Sequence, residues 1–279
     1  MTAVPPAVGA TPQTSEPHLS WRARAAIFLR LLAVQSAWNY ELMLGTGIGF
    51  CTEPALRTLP GGPAGTAYHE ALARESRYFN AHPYLAAVAV GALARAELEG
   101  QPPAQIERFR AAMCGPLGSL GDRLVWAGWL PFSALLALLA FGLGAGGVTV
   151  VVTFLVVYNA GHIGLRIWGL RVGWRSGLRV AAALGAPALR RGPQLITRAV
   201  MVLAGAALPL AIRRVLAGVP LSPPASDTVV RALGGIAPAA AILGAVALGA
   251  ILVRLHGRME GWRAALAILA ALIIYSVLR

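Results

Sequence analysis

The sequence has no lysine, few acidic residues and little cysteine. All 24 basic residues are arginine, against 11 Asp and Glu, so the formal net charge of the 279 residues is +13. Charged residues make up only 13% of the chain. This composition excludes disorder, a coiled coil and a disulfide scaffold as descriptions of the whole chain.

The two cysteines, Cys51 and Cys114, form no CxxC pair and lie far apart in the sequence. We interpret them as small buried residues, because neither a disulfide framework nor a metal site has this spacing. No Ser/His/Asp triad and no pair of catalytic carboxylates can be assembled from residues that are close in sequence. We therefore expect no metal, no cofactor and no catalysis by this chain alone.

Apolar residues are abundant: they make up 57% of the chain, and the mean hydropathy is +0.65. Long apolar runs without charge are typical of transmembrane helices. Because a helix satisfies its own backbone hydrogen bonds in lipid, the sequence predicts an all-α integral membrane protein. The arginines lie beside the apolar runs, where cytoplasmic loops and anionic headgroups explain them better than a nucleic-acid partner, which we do not expect.

Three regions follow one another along the chain. Residues 1–20 are rich in Pro, Ala, Thr and Ser and lack the parts of a signal peptide, so we predict a disordered tail in the cytoplasm. Residues 21–123 hold the apolar run Leu31–Thr52 and the short run Tyr84–Ala94, which predict amphipathic and re-entrant helices. Residues 124–279 are predicted to form about five transmembrane helices. The candidate spans are Leu124–Phe141, Val148–Leu165, Ala199–Ile212, Ala232–Val253 and Ala264–Leu278, with a turn at Gly142–Gly147 between the first two.

Glycine and arginine follow two offset stripes after the second of these spans. Glycine recurs at Gly169, Gly173 and Gly177, and arginine recurs two residues later at Arg171, Arg175 and Arg179. A two-residue offset is about 200° on a helix, so the two stripes face opposite ways. We expect the glycine face to pack closely against a neighbouring helix and the arginine face to meet headgroups or water. The simplest interpretation is an interfacial helix without a direct part in chemistry.

The densest polar group inside an apolar run consists of Gln35, Trp38, Asn39 and Glu41. On an ideal helix these side chains cover an arc of about 160° and would line one side of a cavity. Carboxylate and amide groups bond sugar hydroxyls, and an aromatic ring covers the apolar face of a sugar, so the set suits a neutral polyol ligand. The alternative is that Glu41 pairs with an arginine of a partner helix and Trp38 anchors at the membrane interface.

Two further groups stand next to predicted helix starts. Pro83 disfavours helical backbone at His82, so Asn80 or His82 is expected to cap the helix that follows. A phosphoryl-acceptor role for His82 is the alternative, although no neighbouring residue fixes its tautomer. Asp122 follows the glycine-rich segment Gly115–Gly121 and is expected to be the N-cap of the next helix. Broken backbone at this point would also be compatible with a transport site.

These groups carry a resemblance to a known family. Four groups of residues carry it, in this order along the chain: Gln35–Glu41; Tyr78–Tyr84; Gly115–Leu117 with Gly121 and Asp122; and Tyr158 and Asn159 with Arg166, Gly169 and Leu170. Together they resemble the IID subunit of the mannose/fructose/sorbose family of bacterial sugar phosphotransferase systems. The resemblance runs from about Trp21 to the C-terminus, and the order of the motifs makes it specific.

The resemblance implies a multi-pass subunit of the bacterial inner membrane, with a cytoplasmic N-terminus, that forms the sugar pathway together with a IIC subunit. It implies that the IIA and IIB subunits carry the phosphoryl group and that IIB phosphorylates the incoming hexose, so histidines of this chain are not phosphocarriers. The implied assembly is a hetero-oligomer. Trp38, Asn39, Glu41 and Gln35 would face the sugar, and Asn80, His82 and Asp122 would shape the supporting backbone.

The sequence also departs from the family pattern. The family usually has polar or charged residues where Leu42, Leu44 and Leu130 stand, and a small residue where Arg123 stands. A second hypothesis therefore stays open: a regulatory, non-transporting membrane scaffold or sensor that recruits phosphotransfer proteins through its arginine-rich surface.

Overall fold

The computed structural model describes residues 17–185 and 187–217. In this part of the chain the structure is helical, with isolated β-bridges but no strand. The helices are α1 Trp21–Leu32, α2 Gly45–Leu56, α3 Thr66–Glu75, α4 Ala86–Leu98, α5 Pro103–Gly121, α6 Leu130–Gly142, α7 Gly147–Ser176, α8 Val180–Leu184 and α9 Pro187–Ala217. Two short 3₁₀ turns lie at Gly62–Ala64 and Gly177–Arg179.

The chain forms two compact units. In the described residues the first unit consists of 17–127 and 159–193, and the second consists of Gly128–Tyr158 and 194–217. The first unit contains the three polar segments Gln35–Glu41, Tyr78–Tyr84 and Gly115–Asp122, which we call the first, second and third segments. The proposed division at residue 123 does not coincide with a helix end, because α5 continues through the π-helical segment Asp122–Trp129 into α6. That division stays a prediction.

A carboxylate joins the first three helices of the first unit. Glu53 of α2 accepts hydrogen bonds from Arg30 of α1 at 2.7 Å, from Arg57 at 2.6 Å and from the hydroxyl of Tyr68 of α3 at 2.9 Å. These donors hold the pKa of Glu53 below its usual value despite the opposing effect of burial. The arginine-rich N-terminal helix is thus fixed to the rest of the unit by charge pairing.

The core of the first unit is the short apolar helix α4. Its residues from Ala86 to Ala94 are fully buried, and they are mostly alanine, valine and glycine, which lets neighbouring helices approach closely. A Cβ atom on Gly173 of α7 would lie 2.1 Å from the carbonyl oxygen of Val88. The expected packing of the glycine stripe is therefore confirmed at this residue, and Arg171 and Arg175 are exposed as predicted.

Three helical stretches are long and apolar enough to cross a membrane: Pro103–Gly142, Gly147–Arg179 and Arg191–Val215. Large apolar side chains such as Val148 and Val156 are exposed on them, at 80% and 62%. Exposed apolar surface of this kind is covered by lipid in membrane proteins. The predicted turn at Gly142–Gly147 is confirmed, while the candidate spans Ala232–Val253 and Ala264–Leu278 and most of the N-terminal tail lie outside the described residues.

The apolar run Leu31–Thr52 is divided between two helices in the structure. Helix α1 ends at Leu32, and α2 begins at Gly45, with turns between them. Met43 has a left-handed backbone, with φ of 52°, which no α-helix accommodates. The apolarity of a run therefore does not show where a helix within it ends, because apolarity carries no information about backbone direction.

In the second unit α6 and α9 approach each other closely. A Cβ atom on Gly142 would lie 2.6 Å from Cβ of Leu210. Arg214 of α9 donates hydrogen bonds to the carbonyl oxygens of Phe141 and Ala145, at the C-terminal end of α6. A guanidinium at this position satisfies carbonyls that the helix leaves free and opposes the negative end of its dipole.

Candidate functional site

The loop between α1 and α2 is organised by the side chain of Asn39. Its Oδ1 accepts hydrogen bonds from the backbone N–H groups of Glu41 at 3.0 Å and Leu42 at 2.8 Å. Asparagine folds its own backbone in this way because its short amide reaches residues two and three positions ahead. The Trp38 and Tyr40 rings meet edge to face, with 4.8 Å between centroids. The loop thus presents two aromatic rings on a defined backbone.

This loop pairs with the second polar segment. Leu44 N–H donates to the carbonyl oxygen of Phe79 at 2.9 Å, and Phe79 N–H donates to the carbonyl oxygen of Leu42 at 3.2 Å. The two bonds form a short parallel β-bridge between Met43 and Phe79. Two segments that are far apart in sequence are therefore held as one backbone platform.

A buried ion pair packs against the platform. Arg110 of α5 binds the buried carboxylate of Glu75, donates to the carbonyl oxygen of Arg77 at 2.7 Å and stacks over the Phe79 ring at 5.3 Å. The N–H of Asn80 donates to Cys114 Sγ at 3.4 Å. Side chains of α5 thus contact both the backbone and the Phe79 ring of the second segment.

His82 joins the platform to the third segment. Its Nδ1 accepts a hydrogen bond from the N–H of Tyr84 at 3.2 Å, so the side chain fixes the turn that leads into α4. A Cβ atom on Gly121 would lie 2.1 Å from Cβ of His82, so only glycine fits at this contact. Nε2 of His82 is buried and has no hydrogen-bond partner among the residues that the structure describes.

An aromatic and cationic cluster surrounds His82. Tyr84 lies 5.0 Å from the His82 ring and 4.6 Å from the His162 ring, while Trp126 lies 5.1 Å from His82. The Arg166 guanidinium carbon lies 4.2 Å above the Tyr84 ring. Arg166 is 2% exposed, and its Nε donates to the carbonyl oxygen of Leu31 at 3.1 Å, at the C-terminal end of α1. One arginine of α7 therefore joins α1, the second segment and α7.

The structure places the predicted sugar-facing residues in the loop rather than on a helix, so the predicted arc of about 160° does not apply to them. Gln35, Trp38, Asn39 and Glu41 are all exposed, as is Asn80, while His82 is buried. The predicted N-cap role of Asp122 is wrong, because Asp122 lies inside the continuous helical stretch Pro103–Gly142. Gly115 and Pro116 do not interrupt that helix either, since a proline in a helix removes one hydrogen bond without requiring a turn.

The interpretation of the cysteines as buried residues holds for Cys51, which is fully buried. Burial raises the pKa of its thiol to about 12, so the thiolate is not accessible at neutral pH. Cys114 is half-buried and acts as the sulfur acceptor for the Asn80 N–H.

Three residues of this cluster were not predicted as site residues. Tyr84 and Arg166 belong to the motifs of the resemblance, and Trp126 does not. Arg166 carried a readable signal, since it is the first charge after the apolar run that begins beyond Arg123, and ionisable residues inside spans are usually functional. The approach of Trp126 to His82 carried no such signal, because it depends on the packing of α5 against the second segment.

The pKa of His82 predicts a specific acid sensitivity. Burial, assisted by the positive charge of Arg166, lowers this pKa from 6.5 to about 4. The unfolded chain therefore takes up the proton first, so the contribution of neutral His82 to stability is complete above pH 6.5 and is lost as the pH falls toward 4. We expect His82→Asn, whose amide oxygen can accept the Tyr84 N–H bond, to flatten the fall of the unfolding temperature between pH 6.5 and 4. The fall is measured by thermal unfolding of the purified protein, and identical slopes for both proteins would refute the assignment.

The family model of the PTS system mannose/fructose/sorbose family IID component matches residues 18–277. The mannose-specific EIID component of Escherichia coli K12 is 28% identical over 191 residues, which is 66% of each chain and thus just under two thirds of the relative's length. The fructose permease IID component of Bacillus subtilis is 28% identical over 171 residues, or 59% of this chain and 60% of the relative. The sorbose-specific component of Klebsiella pneumoniae is 29% identical over 174 residues, or 60% of this chain and 61% of the relative.

Solved structures show the same fold. A cryo-electron microscopy structure of the mannose transporter ManYZ in complex with microcin E492 aligns with a TM-score of 0.52 at 20% identity, covering 93% of this chain and 97% of the solved chain. A second solved membrane protein aligns with a TM-score of 0.61 at 22% identity, covering 94% and 98%. The family match extends over nearly the whole sequence and includes the three polar segments that the structure brings together. This chain is therefore a membrane protein that belongs to the mannose/fructose/sorbose family of PTS IID components.

Proposed function

We propose that this chain is the IID subunit of a sugar transporter, in which it forms the translocation pathway for a mannose-type hexose together with a IIC subunit. The observation that carries the proposal is the convergence of three polar segments on one platform beside apolar helices. Relatives with the same family assignment are named for mannose, fructose and sorbose. The proposed location is the bacterial inner membrane, with residues 1–20 in the cytoplasm.

In this proposal the exposed loop between α1 and α2 supplies the sugar-facing surface. Trp38 offers a ring face, and Gln35, Asn39 and Glu41 offer amide and carboxylate groups that bond hydroxyls. Because the Asn39 carbonyl group already binds the loop backbone, its role is to hold the backbone that presents Glu41.

The supporting residues act on the same surface through the backbone. His82 fixes the turn before α4, and Asn80 binds α5 through its N–H. We propose that Asp122, which is exposed at the start of the π-helical segment, helps to shape the backbone that supports the sugar-facing surface. IIB would then phosphorylate the sugar on the cytoplasmic side, with IIA as its phosphoryl donor.

Glu41→Gln tests the sugar-facing assignment. The substitution preserves size and removes the charge, and we expect uptake of the transported hexose to fall at least ~10-fold because a charged acceptor is lost from the transition state of translocation. The measurement is phosphoenolpyruvate-dependent uptake of labelled mannose, fructose and sorbose by cells that express the chain with its IIC, IIB and IIA partners.

Asn39 provides a matched pair of variants. Asn39→Asp keeps the oxygen that accepts from Glu41 and Leu42, whereas Asn39→Ala removes it. We expect the alanine variant to lose uptake and the aspartate variant to retain most of it. Wild-type uptake in both Glu41→Gln and Asn39→Ala would refute the surface assignment. A stable membrane complex without uptake of any sugar would instead favour the scaffold or sensor.

A further inference from the structure

The first unit contains a second concave surface, distinct from the platform of polar segments. A cavity of about 510 Å³ opens between α1, α4 and α7. We call it the arginine-rimmed groove, and its lining includes Arg24, Phe28, Arg171, Trp174 and Arg175. None of the residues described here for the polar platform lines it.

The lining of the groove combines an apolar interior with a cationic rim. Ile27, Phe28 and Leu170 contribute apolar side chains, and Gly91 and Ala94 line the groove on the side of α4. The three arginines come from two different helices. No aspartate or glutamate lines the groove among the described residues, so the rim carries uncompensated positive charge.

The arginines of the rim differ from six other arginines of the first unit. Arg30, Arg57, Arg74, Arg77, Arg95 and Arg110 form ion pairs with glutamates. Arg24 uses its Nε to bind the carbonyl oxygen of Leu19 at 3.1 Å, which positions the guanidinium and leaves its charge unpaired within the described residues. An oriented guanidinium is well suited to phosphate oxygens.

The position of the rim along α7 fits the surface of a bilayer. Arg171 and Arg175 lie near the C-terminal end of the candidate span Gly147–Arg179, which has 33 residues and is longer than the roughly 20 residues that cross the hydrocarbon core. Trp174 lies between them in sequence, and tryptophan is enriched at the level of lipid headgroups. The apolar interior is therefore adjacent to the region where acyl chains begin.

We propose that the arginine-rimmed groove binds one anionic phospholipid, whose phosphate contacts Arg24, Arg171 and Arg175 and whose acyl chain fills the apolar interior. The charge of the rim selects a lipid with net negative charge over a zwitterionic one. The proposal concerns a defined binding site rather than general attraction to the membrane, and it is independent of sugar transport.

Native mass spectrometry of the purified full chain in detergent tests the site, with phosphatidylglycerol and phosphatidylcholine titrated separately. We expect one phosphatidylglycerol per chain to bind at low concentration, with phosphatidylcholine much weaker. In Arg171→Gln/Arg175→Gln we expect the affinity for phosphatidylglycerol to fall roughly ten- to hundredfold, because two charge-assisted contacts are lost. Arg108→Gln/Arg123→Gln is the matched control: it removes the same charge from exposed arginines that do not line the groove.

A second variant separates the acyl-chain contact from the charge. Ala25 is exposed and lines the groove, so Ala25→Trp fills part of the interior while all rim arginines remain. We expect it to weaken phosphatidylglycerol binding without changing the net charge, and it serves as the test if the double arginine variant does not fold. Thermal unfolding monitors the fold of each variant.

Four results would overturn the proposal. The first is equal loss in the groove and control double variants, which indicates general charge attraction. The second is equal retention of phosphatidylcholine, and the third is full displacement of the lipid by millimolar inorganic phosphate, which indicates a free-anion site. The fourth is unchanged lipid binding both by Ala25→Trp and by a folded Arg171→Gln/Arg175→Gln variant.

Discussion

Gly173→Ala is expected to destabilise the first unit more than any other single methyl group added to α7. The new Cβ atom would lie 2.1 Å from the carbonyl oxygen of Val88 and 2.9 Å from the backbone N of Ala92, and backbone atoms cannot turn away as a side chain can. Helices α4 and α7 must therefore separate, at a cost of about 3 kcal/mol. The measurement is the thermal unfolding midpoint of the purified protein, together with its yield in the membrane.

Gly164→Ala is the control for this substitution on the same helix. Nothing lies within 4 Å of a Cβ atom at Gly164, which is exposed. Alanine has the higher helix propensity, so we expect this variant to match or slightly exceed wild-type stability, by up to about 1 kcal/mol. Equal midpoints for the two variants would contradict the close contact between α4 and α7.

Arg166→Gln is expected to destabilise the first unit and to abolish transport. The substitution removes a charged hydrogen bond to the buried carbonyl of Leu31 and the contact over the Tyr84 ring, together worth about 2–4 kcal/mol. The loop between α1 and α2 begins directly after that carbonyl. Hydrogen exchange of residues 33–44 should therefore accelerate, while exchange in α3, which Tyr68 joins to Glu53, should change less.

Two comparisons sharpen this expectation. Arg166→Lys keeps the charge but lacks the planar fork, so we expect intermediate stability and partial transport. Arg123→Gln removes an exposed arginine whose Nε binds the carbonyl of Ser119 in its own helix, and we expect it to leave exchange in residues 33–44 unchanged. If Arg166→Gln had no more effect on this loop than Arg123→Gln, Arg166 would not be the residue that joins α1 to α7.

Helix periodicity and apolar runs predicted much of this fold. The helical class, the turn at Gly142–Gly147 and the opposite faces of the glycine and arginine stripes all depend on local patterns, and they were predictable for that reason. The break between α1 and α2 was less accessible to prediction. The loop there is shaped by the Asn39 side chain and the left-handed Met43, which interrupt an apolar run without changing its hydropathy.

The segments that form the candidate site could be predicted from the sequence, but the contacts between them could not. Polar residues in apolar surroundings indicated the first and second segments. The β-bridge at Phe79 and the contact of His82 with Gly121 join residues distant in sequence, and single-sequence patterns do not encode such pairs. Asp122 shows the converse error: a good capping residue after glycines predicted a helix start, but continuous helical hydrogen bonding through the segment prevailed.

The π-helical segment Asp122–Trp129 affects how the helix responds to the loss of a single residue. It ends at Trp129, two residues before Pro131, which has no N–H to continue an α-helical pattern, and a wider turn relieves the clash of the proline ring with the preceding turn. A π-turn holds an extra residue, so losing one residue there tightens the turn toward α geometry. The same loss within α6 would rotate every later residue by about 100°. A single-residue deletion is thus expected to be tolerated better in this segment than within α6, because the helix absorbs the change in length without turning its lipid-facing side inward.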